Sequence, residues 1–106
     1  MKKEFQVKGK IYELNEDGYL ANPEQWDESF AVEIAKELGI NELTEKHMMV
    51  INYMREYYKQ NGVVPTLRKV SKESGVGMKD LYSLFPDGPI KKAAKISGLP
   101  KPQSCV

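Results

Sequence analysis

Residues 44–62 read TEKHMMVINYMREYYKQNG and predict the longest helix of the chain, from about Glu45 to Gln60. Thr44 can cap this helix, because a threonine hydroxyl accepts a hydrogen bond from the first helical turn. Asn61-Gly62 ends it, since glycine adopts the left-handed conformation that closes many helices. Apolar side chains recur at helical spacing: Met48, Ile51, Met54 and Tyr58, with Val50, Tyr53 and Tyr57 beside them. This stripe is typical of a helix packed on a protein core rather than of a cofactor site.

Shorter elements are predicted on both sides of this helix. Alternating apolar and polar residues around Gly9 predict a β-hairpin, Tyr19-Leu20 can add a third short strand, and Trp26 is expected to cover one end of the core. Helical spacing with glycine and proline boundaries predicts further helices at about 28–38, 65–74, 77–85 and 88–97. The sequence therefore predicts an α+β fold that is mainly α: an N-terminal β-hairpin, then an orthogonal helical bundle with a helix-turn-helix-like unit, then a flexible C-terminal arm.

A chain of 106 residues fits a single domain. We predict one globular domain over residues 1–97, with a hairpin region at 1–20 and a helical bundle at 28–97. Residues 98–106 form the predicted arm. Two prolines in the arm deny it helical hydrogen bonds and favour extended backbone.

Composition excludes several classes of protein. Hydrophobic residues make up 41% of the chain and charged residues 29%, as in ordinary soluble proteins. The sequence has no apolar run of about 20 residues that could span a membrane, and no apolar signal segment follows Met1. One cysteine and one histidine exclude an intramolecular disulfide and a Cys/His zinc site within one copy. We therefore expect a cytoplasmic protein without membrane insertion, metal or cofactor.

The net charge of +1 hides an asymmetry along the chain. Residues 11–50 carry ten acidic residues against Lys36 and Lys46, whereas residues 51–106 carry ten basic residues against four acidic ones. From Gly88 onward the chain has four lysines and no acid. A charged cluster taken alone is usually a solvated surface, but basic residues near a cysteine also lower the pKa of its thiol.

Residues 67–84 resemble a helix-turn-helix, with Gly75 at the turn between two short helices. This pattern supports a DNA-binding regulator as an alternative function. A recognition helix needs side chains such as arginine or asparagine to read base edges, and the stretch 78–85 offers only Lys79 beside Asp80. We therefore favour a compact helical corner, and nucleic acid is the less favoured partner.

Two other groups of titratable residues have simple structural interpretations. His47 stands alone in the first turn of the long helix, with no neighbour at a catalytic spacing, and is expected to pack or lie at the surface. Glu24, Asp27 and Glu28 flank a predicted helix start, where acidic residues complement the helix dipole. Neither group predicts catalysis.

The only cysteine, Cys105, is the penultimate residue of the run Gly98-Leu99-Pro100-Lys101-Pro102-Gln103-Ser104-Cys105-Val106. Chain ends are usually exposed, so this thiol is predicted to lie on an arm rather than in a core. At ~3.1 Å per residue in polyproline geometry, the residues after Gly98 would carry it roughly 20 Å from the body. This layout favours a thiol delivered to a partner, the alternative being a leftover thiol near the chain end.

Several stretches are similar to the DsrC/TusE family of sulfur-relay proteins. The most specific is Gly98-Leu99-Pro100-Lys101-Pro102 followed by a penultimate cysteine. Similar residues occur throughout the chain: Asp17-Gly18-Tyr19-Leu20, Gln25-Trp26, Leu43-Thr44 with His47, Tyr57-Tyr58, Pro65 with Arg68, and the stretch 81–89. The resemblance therefore covers essentially the whole chain.

The resemblance implies a sulfur carrier rather than an enzyme. In that family the cysteine matching Cys105 takes up sulfur as a persulfide and presents it to partners. The implied partners are the catalytic subunits of a sirohaem sulfite reductase, of which family members are called the gamma subunit, or the sulfurtransferases of tRNA 2-thiolation. Arg68 and Lys101 match basic positions of the family, and we expect them to dock the arm or to stabilise the persulfide anion.

One position departs from the dissimilatory members of the family. Those members carry a second cysteine at the position of Ala94, which lets two sulfurs close a disulfide or trisulfide. Its absence favours single-cysteine persulfide chemistry, as in the tRNA branch, whereas the short stretch between Gly75 and Leu81 is more similar to the dissimilatory branch. An engineered replacement of cysteine by alanine at position 94 of a dissimilatory member would also combine a single cysteine with this short stretch. Both branches therefore stay open, as does a purely structural subunit of a reductase.

Overall fold

The computed structural model describes residues 3–102 of the chain. Two antiparallel strands come first, β1 (Lys3–Val7) and β2 (Lys10–Leu14), followed by a 3₁₀ turn at Pro23–Gln25. Five α-helices complete the described part: α1 (Glu28–Glu37), α2 (Glu45–Asn61), α3 (Leu67–Glu73), α4 (Met78–Leu84) and α5 (Pro89–Ile96). The predicted hairpin and helical bundle are confirmed. Between residues 3 and 102, none of the helices has the length and apolarity needed to cross a membrane.

The hairpin closes through a two-residue turn. Lys8 and Gly9 both have positive φ, 48° and 85°, and Val7 pairs with Lys10 across the turn. Turns with two positive φ angles match the right-handed twist of paired strands. The alternation around Gly9 therefore marks the hairpin correctly.

The predicted third strand at Tyr19-Leu20 is wrong. Leu20 forms only an isolated bridge to Leu14. The chain turns at Gly18, whose φ is 87°, and Pro23 soon begins the 3₁₀ turn, so there is no length of extended backbone for a ladder. Tyr19 and Leu20 bury their side chains in the core instead.

Asp27 joins the hairpin to α1. Its side chain accepts a hydrogen bond from the Phe30 N–H at 2.9 Å and so caps the helix. It also accepts hydrogen bonds from the Lys10 ammonium at 2.8 Å and the Tyr12 hydroxyl at 2.7 Å. The bond from Lys10 contributes most to the low pKa of the Asp27 carboxyl, about 2. We call Lys10, Tyr12 and Asp27 the hairpin junction.

The long helix α2 is capped at both ends, as predicted. The Thr44 hydroxyl accepts a hydrogen bond from the His47 N–H, and His47 Nδ1 accepts one from the Thr44 N–H at 3.0 Å, which forms a capping box. His47 is buried, and its Nε2 donates to the Leu84 carbonyl at 3.0 Å. The histidine is therefore a packing residue that ties α2 to the end of α4. Gly62 closes α2 with a φ of 73°.

Helices α3 and α4 form the predicted helix-turn-helix-like corner. Their inward residues Val70 and Leu81 are buried, and α3 packs on both α2 and α4. Lys46 of α2 forms an ion pair with Asp80 of α4 at 3.3 Å. The corner therefore shares its core with the long helix.

A single core connects the hairpin to the helices. Its largest fully buried side chains come from most of the elements: Tyr12, Leu20, Phe30, Ile51, Met54, Leu81, Phe85, Ile90, Ile96 and Leu99. Helix α5 packs against α1, α2 and α4. Because α5 is held by three helices, the point at which it ends sets where the C-terminal segment leaves the core.

Candidate functional site

The predicted carrier residue Cys105 lies outside the residues that the structure describes. The described part of the predicted arm is residues 98–102, which we call the arm root. The arm root follows α5 after a single residue, Ser97. Its geometry shows how the cysteine-bearing segment is attached to the domain.

Trp26 and Arg55 hold the last carbonyl groups of α5. The Trp26 Nε1–H donates to the Ile96 carbonyl at 2.8 Å, and an Arg55 N–H donates to the Ser97 carbonyl at 2.8 Å. A second Arg55 nitrogen donates to the Pro23 carbonyl at 3.3 Å, and the guanidinium carbon lies 4.3 Å from the centre of the Trp26 ring. The last carbonyls of a helix have no partner within it, so these contacts fix the end of α5.

Sequence reasoning placed Trp26 as a cover for the core and as part of the family resemblance, assigned it no role at the end of α5, and did not single out Arg55. Arg55 is half-buried, and burial lowers the pKa of its guanidinium, which nevertheless stays charged in proteins. A signal was present: Arg55 directly follows the buried Met54 on α2, at the edge of the apolar stripe. A charged group at such an edge needs a polar partner when it is partly buried.

Gly98 begins the arm root in a conformation that favours glycine, with φ of 71°. A Cβ atom at this position would lie 2.7 Å from Trp26 Cδ1 and 2.9 Å from Trp26 Cβ. Both distances are shorter than real Cβ contacts, and Trp26 cannot retreat without losing its bond to Ile96. The glycine predicted to stop α5 therefore also makes room for the tryptophan.

The arm root runs along the domain. Leu99 is buried in the core, and its N–H donates to the Ala94 carbonyl at 3.0 Å. Pro102 is also buried, whereas Lys101 is exposed. The predicted arm thus begins with residues that the domain packs. The predicted extension away from the body from Gly98 onward is therefore wrong for residues 98–102, because Leu99 and Pro102 pack on the domain. The division at residue 97 stays a prediction.

The helix that leads to the arm root is basic. Lys91 is exposed, Lys92 and Lys95 are half-buried, and the Lys95 ammonium lies 5.3 Å from the centre of the Tyr19 ring. Residues 89–96, which form α5, include no acidic residue. A positive surface of this kind stabilises a thiolate or persulfide anion that comes near it.

The two predicted binding residues are both exposed. Arg68 lies on α3, which packs mainly on α2 and α4, whereas Lys101 lies in the arm root. The ion pairs found within residues 3–102 involve neither of them. Both cations therefore face solvent, and their role toward Cys105 stays a prediction.

A groove of about 540 Å³ lies beside the arm root. Leu99 lines it together with residues of the 3₁₀ turn and of α2: Pro23, Glu24, Asn52, Arg55, Glu56, Tyr58 and Lys59. In the stretch from residue 3 to residue 102, no three His, Cys, Asp or Glu side chains are grouped closely enough to hold a metal ion. The contacts in the described part of the chain hold the end of α5 and the arm root, from which the C-terminal segment continues.

Comparison with known proteins gives the family. The sequence model of the family described as "DsrC like protein" matches residues 6–106. The dissimilatory-type sulfite reductase subunit gamma of Nitratidesulfovibrio vulgaris is 40% identical over 103 residues, which cover 97% of this chain and 98% of that protein. The sulfurtransferase TusE of Photorhabdus laumondii is 42% identical over 106 residues, covering 92% of this chain and 94% of that protein.

A solved structure shows the same fold. The NMR structure of Allochromatium vinosum DsrC has a TM-score of 0.86 and 40% identity, with 100% of both chains covered. This likeness confirms the predicted mainly α architecture with its N-terminal hairpin. Together with the match over residues 6–106, it confirms the resemblance seen in the sequence. The chain belongs to the DsrC family.

Proposed function

We propose that the protein is a sulfur carrier that binds sulfur as a persulfide on Cys105 and relays it to partner proteins. The observation that carries this proposal is family membership combined with a sole cysteine. Relatives are named as a sulfite reductase gamma subunit and as sulfurtransferases, and Cys105 is the only thiol of the chain. The packed arm root supports the proposal, since it attaches the thiol-bearing segment at a defined point.

The transfer step is thiol–persulfide exchange. The Cys105 thiolate attacks the outer sulfur of a donor persulfide, R–S–SH. A new S–S bond forms at Cys105 while the donor's S–S bond breaks, and the donor leaves as the thiolate R–S⁻. Delivery to an acceptor thiol is the same exchange in the other direction. The transferred sulfur keeps its oxidation level, so the step uses no external oxidant or reductant; its rate depends on the thiolate fraction and on access.

The basic residues have a role in this scheme as stabilisers of negative sulfur. Lys101 is exposed and stands four positions before Cys105 in the sequence. The lysines of α5 lie on the helix that directly precedes the arm root. We propose that Arg68 and Lys101 dock the arm or stabilise the persulfide anion. Contacts between an ammonium or guanidinium group and an anion are stronger than those between neutral groups.

The proposed partners are the catalytic subunits of a sulfite reductase or the sulfurtransferases of tRNA 2-thiolation, and the proposed compartment is the cytoplasm. Names of both kinds occur among the relatives. Ala94 is fully buried and provides no thiol, so one copy of the chain has no second cysteine with which Cys105 could form a disulfide. Sulfur transfer within one copy therefore depends on Cys105 alone.

Mass spectrometry tests the carrier function. The full chain is incubated with a small persulfide such as glutathione persulfide and then digested. We expect the mass of one added sulfur atom on the peptide that contains Cys105, and none in the matched Cys105→Ser variant. An unmodified Cys105, under conditions that load another persulfide carrier, would contradict the proposal.

A DNA-binding regulator is the second candidate, because the helix-turn-helix-like corner is present. Its outer helix α4 exposes Met78 and Tyr82, with Lys79 as its one basic residue. Fluorescence anisotropy with a labelled DNA duplex at low salt separates the two functions, since phosphate contacts are strongest there. No binding at low salt would eliminate the regulator.

A purely structural subunit of a reductase is tested by Cys105→Ser. Partner activity that survives this substitution would indicate a structural role.

A further inference from the structure

We propose that Trp26 and Arg55 are positioning residues for Cys105: they form a root latch that holds the exit of α5 and so restricts where the cysteine can go. The proposal rests on the proposed function only in taking Cys105 as the group that is delivered. The two side chains come from separate elements, the 3₁₀-turn region and α2, and meet at the same helix end.

The latch acts on backbone carbonyls. Trp26 holds the carbonyl of Ile96 and Arg55 holds that of Ser97, while Arg55 also reaches Pro23. Ser97 is completely buried. Without the latch, buried helix-end carbonyls would lose their partners, and the last turn of α5 would open toward water to regain them.

Arginine suits this position better than lysine. Its guanidinium is planar and presents several N–H groups in a fixed fork, so one side chain reaches two carbonyls on different segments. The guanidinium carbon also lies 4.3 Å from the centre of the Trp26 ring, within cation–π distance. A lysine at position 55 would keep the charge but would offer a single nitrogen and no plane to stack.

The latch is connected directly to the arm root. Gly98 passes against Trp26 so closely that a Cβ atom would lie 2.7 Å from the ring, and the next residue, Leu99, enters the core. The position of the Trp26 ring therefore sets the path of the chain between α5 and Pro102. The cysteine follows Pro102 after two further residues, which leaves little chain to absorb a change at the root.

A nitroxide label tests the latch in the full-length chain. Cys105 is the sole cysteine, so the label can be attached without removing any other thiol. Electron paramagnetic resonance spectra are compared for wild type, Arg55→Met, Arg55→Lys and Trp26→Phe at a temperature below the unfolding transition of each. Trp26→Phe keeps an aromatic ring but removes the N–H donor, so it remains informative if the arginine variants fold poorly.

We expect the label to become more mobile in the order wild type, Arg55→Lys, Arg55→Met, and more mobile in Trp26→Phe than in wild type. His47→Ala is the matched control, because it also removes a buried side-chain bond to a backbone carbonyl, two turns earlier on α2. The nitroxide in the His47→Ala variant should be as mobile as in wild type, although the free energy of unfolding of this variant is lower. Spectra of the latch variants that match wild type, or a control that loosens the label equally, would overturn the proposal.

This outcome is independent of sulfur chemistry. The nitroxide occupies the Cys105 sulfur, so the labelled chain carries no persulfide, and the spectrum reports only the mobility of the label at residue 105. A mobile label in Arg55→Met together with no sulfur loading of the wild type would sustain the latch and reject the carrier function. Normal loading with unchanged label mobility would reject the latch and sustain the carrier.

Discussion

The hairpin junction and the root latch are centred on adjacent residues, Asp27 and Trp26, but they depend on different chemistry. Asp27 accepts hydrogen bonds from Lys10 and Tyr12, and the bond from Lys10 needs a charged carboxylate. Trp26 and Arg55 donate to backbone carbonyls, which do not titrate. The two sets of contacts can therefore be loosened separately: acid should weaken the hairpin junction and leave the root latch intact.

The largest expected effect is at the arm root. Gly98→Ala adds a methyl group 2.7 Å from Trp26 Cδ1 at a φ of 71°, so either the tryptophan or the chain must shift. We expect a loss of about 2–4 kcal/mol in the free energy of unfolding, since steric overlap adds to backbone strain. Urea unfolding followed by circular dichroism measures this loss.

Gly62→Ala is the matched control for this substitution. Gly62 has a φ of 73°, and a Cβ atom there would meet nothing within 4 Å. The backbone strain is therefore similar while the steric overlap is absent, and we expect a loss of about 1 kcal/mol. Equal losses for the two alanine variants would show that Trp26 does not constrain the arm root.

The hairpin junction should give an effect of intermediate size. Asp27→Ala removes the cap of α1 and the bonds from Lys10 and Tyr12, which we expect to cost about 1–2 kcal/mol. Asp27→Asn should cost less, because asparagine also caps helices and its amide oxygen can accept from Tyr12. Urea unfolding of both variants measures the difference. Equal losses would mean that neither the cap nor the bond from Tyr12 contributes to stability.

Acid should act on the same junction. The pKa of Asp27 in the folded protein is about 2, below its ordinary value of 3.8. A lowered pKa means that the folded state favours the charged carboxylate, so its contribution is complete above the ordinary pKa and is lost as the pH falls toward 2. The Tm of the wild type should fall more between pH 4 and pH 2 than that of Asp27→Asn. If the Tm of both proteins falls equally between pH 4 and pH 2, protonation of Asp27 does not contribute to the loss of stability in acid.

Local signals explain why most of the fold was predictable. Thr44 begins α2 and Gly62 ends it, and both do so through contacts with the helix itself. The turn at Gly9 lies directly between the two strands that it joins. The site was harder, because its contacts join distant residues. Arg55 and Ser97 are 42 positions apart, and Trp26 and Ile96 are 70 apart. Periodicity gives the face on which a side chain lies, but it does not identify a partner on another element.

Asp27 shows the same limit within one residue. Its place at the start of α1 follows from its position in the sequence, where acidic residues favour a helix start. Its bonds to Lys10 and Tyr12 span 17 and 15 positions and depend on how the hairpin folds back over the helix. The local role was therefore predictable, whereas the role in joining two elements required the structure.

The smallest expected effect has the opposite sign and lies beside the latch. The Ser97 hydroxyl is buried and has no hydrogen-bond partner within residues 3–102, although the Ser97 carbonyl is held by Arg55. Burying an unpaired hydroxyl is unfavourable, so Ser97→Ala should raise the free energy of unfolding by up to about 1 kcal/mol. The urea midpoint should increase with no change in the slope of the transition.

A double-mutant cycle between Ser97→Ala and Arg55→Met sharpens this result. Arg55 donates to the backbone carbonyl of residue 97, which alanine also provides, so Arg55→Met should cost the same in both backgrounds. Residues in contact often show coupling, but alanine keeps the carbonyl that Arg55 binds, so we expect the two changes to add within about 0.5 kcal/mol. A larger coupling energy would mean that Arg55 depends on the serine hydroxyl, and the latch would then be specific to the residue at position 97 rather than to the end of the helix.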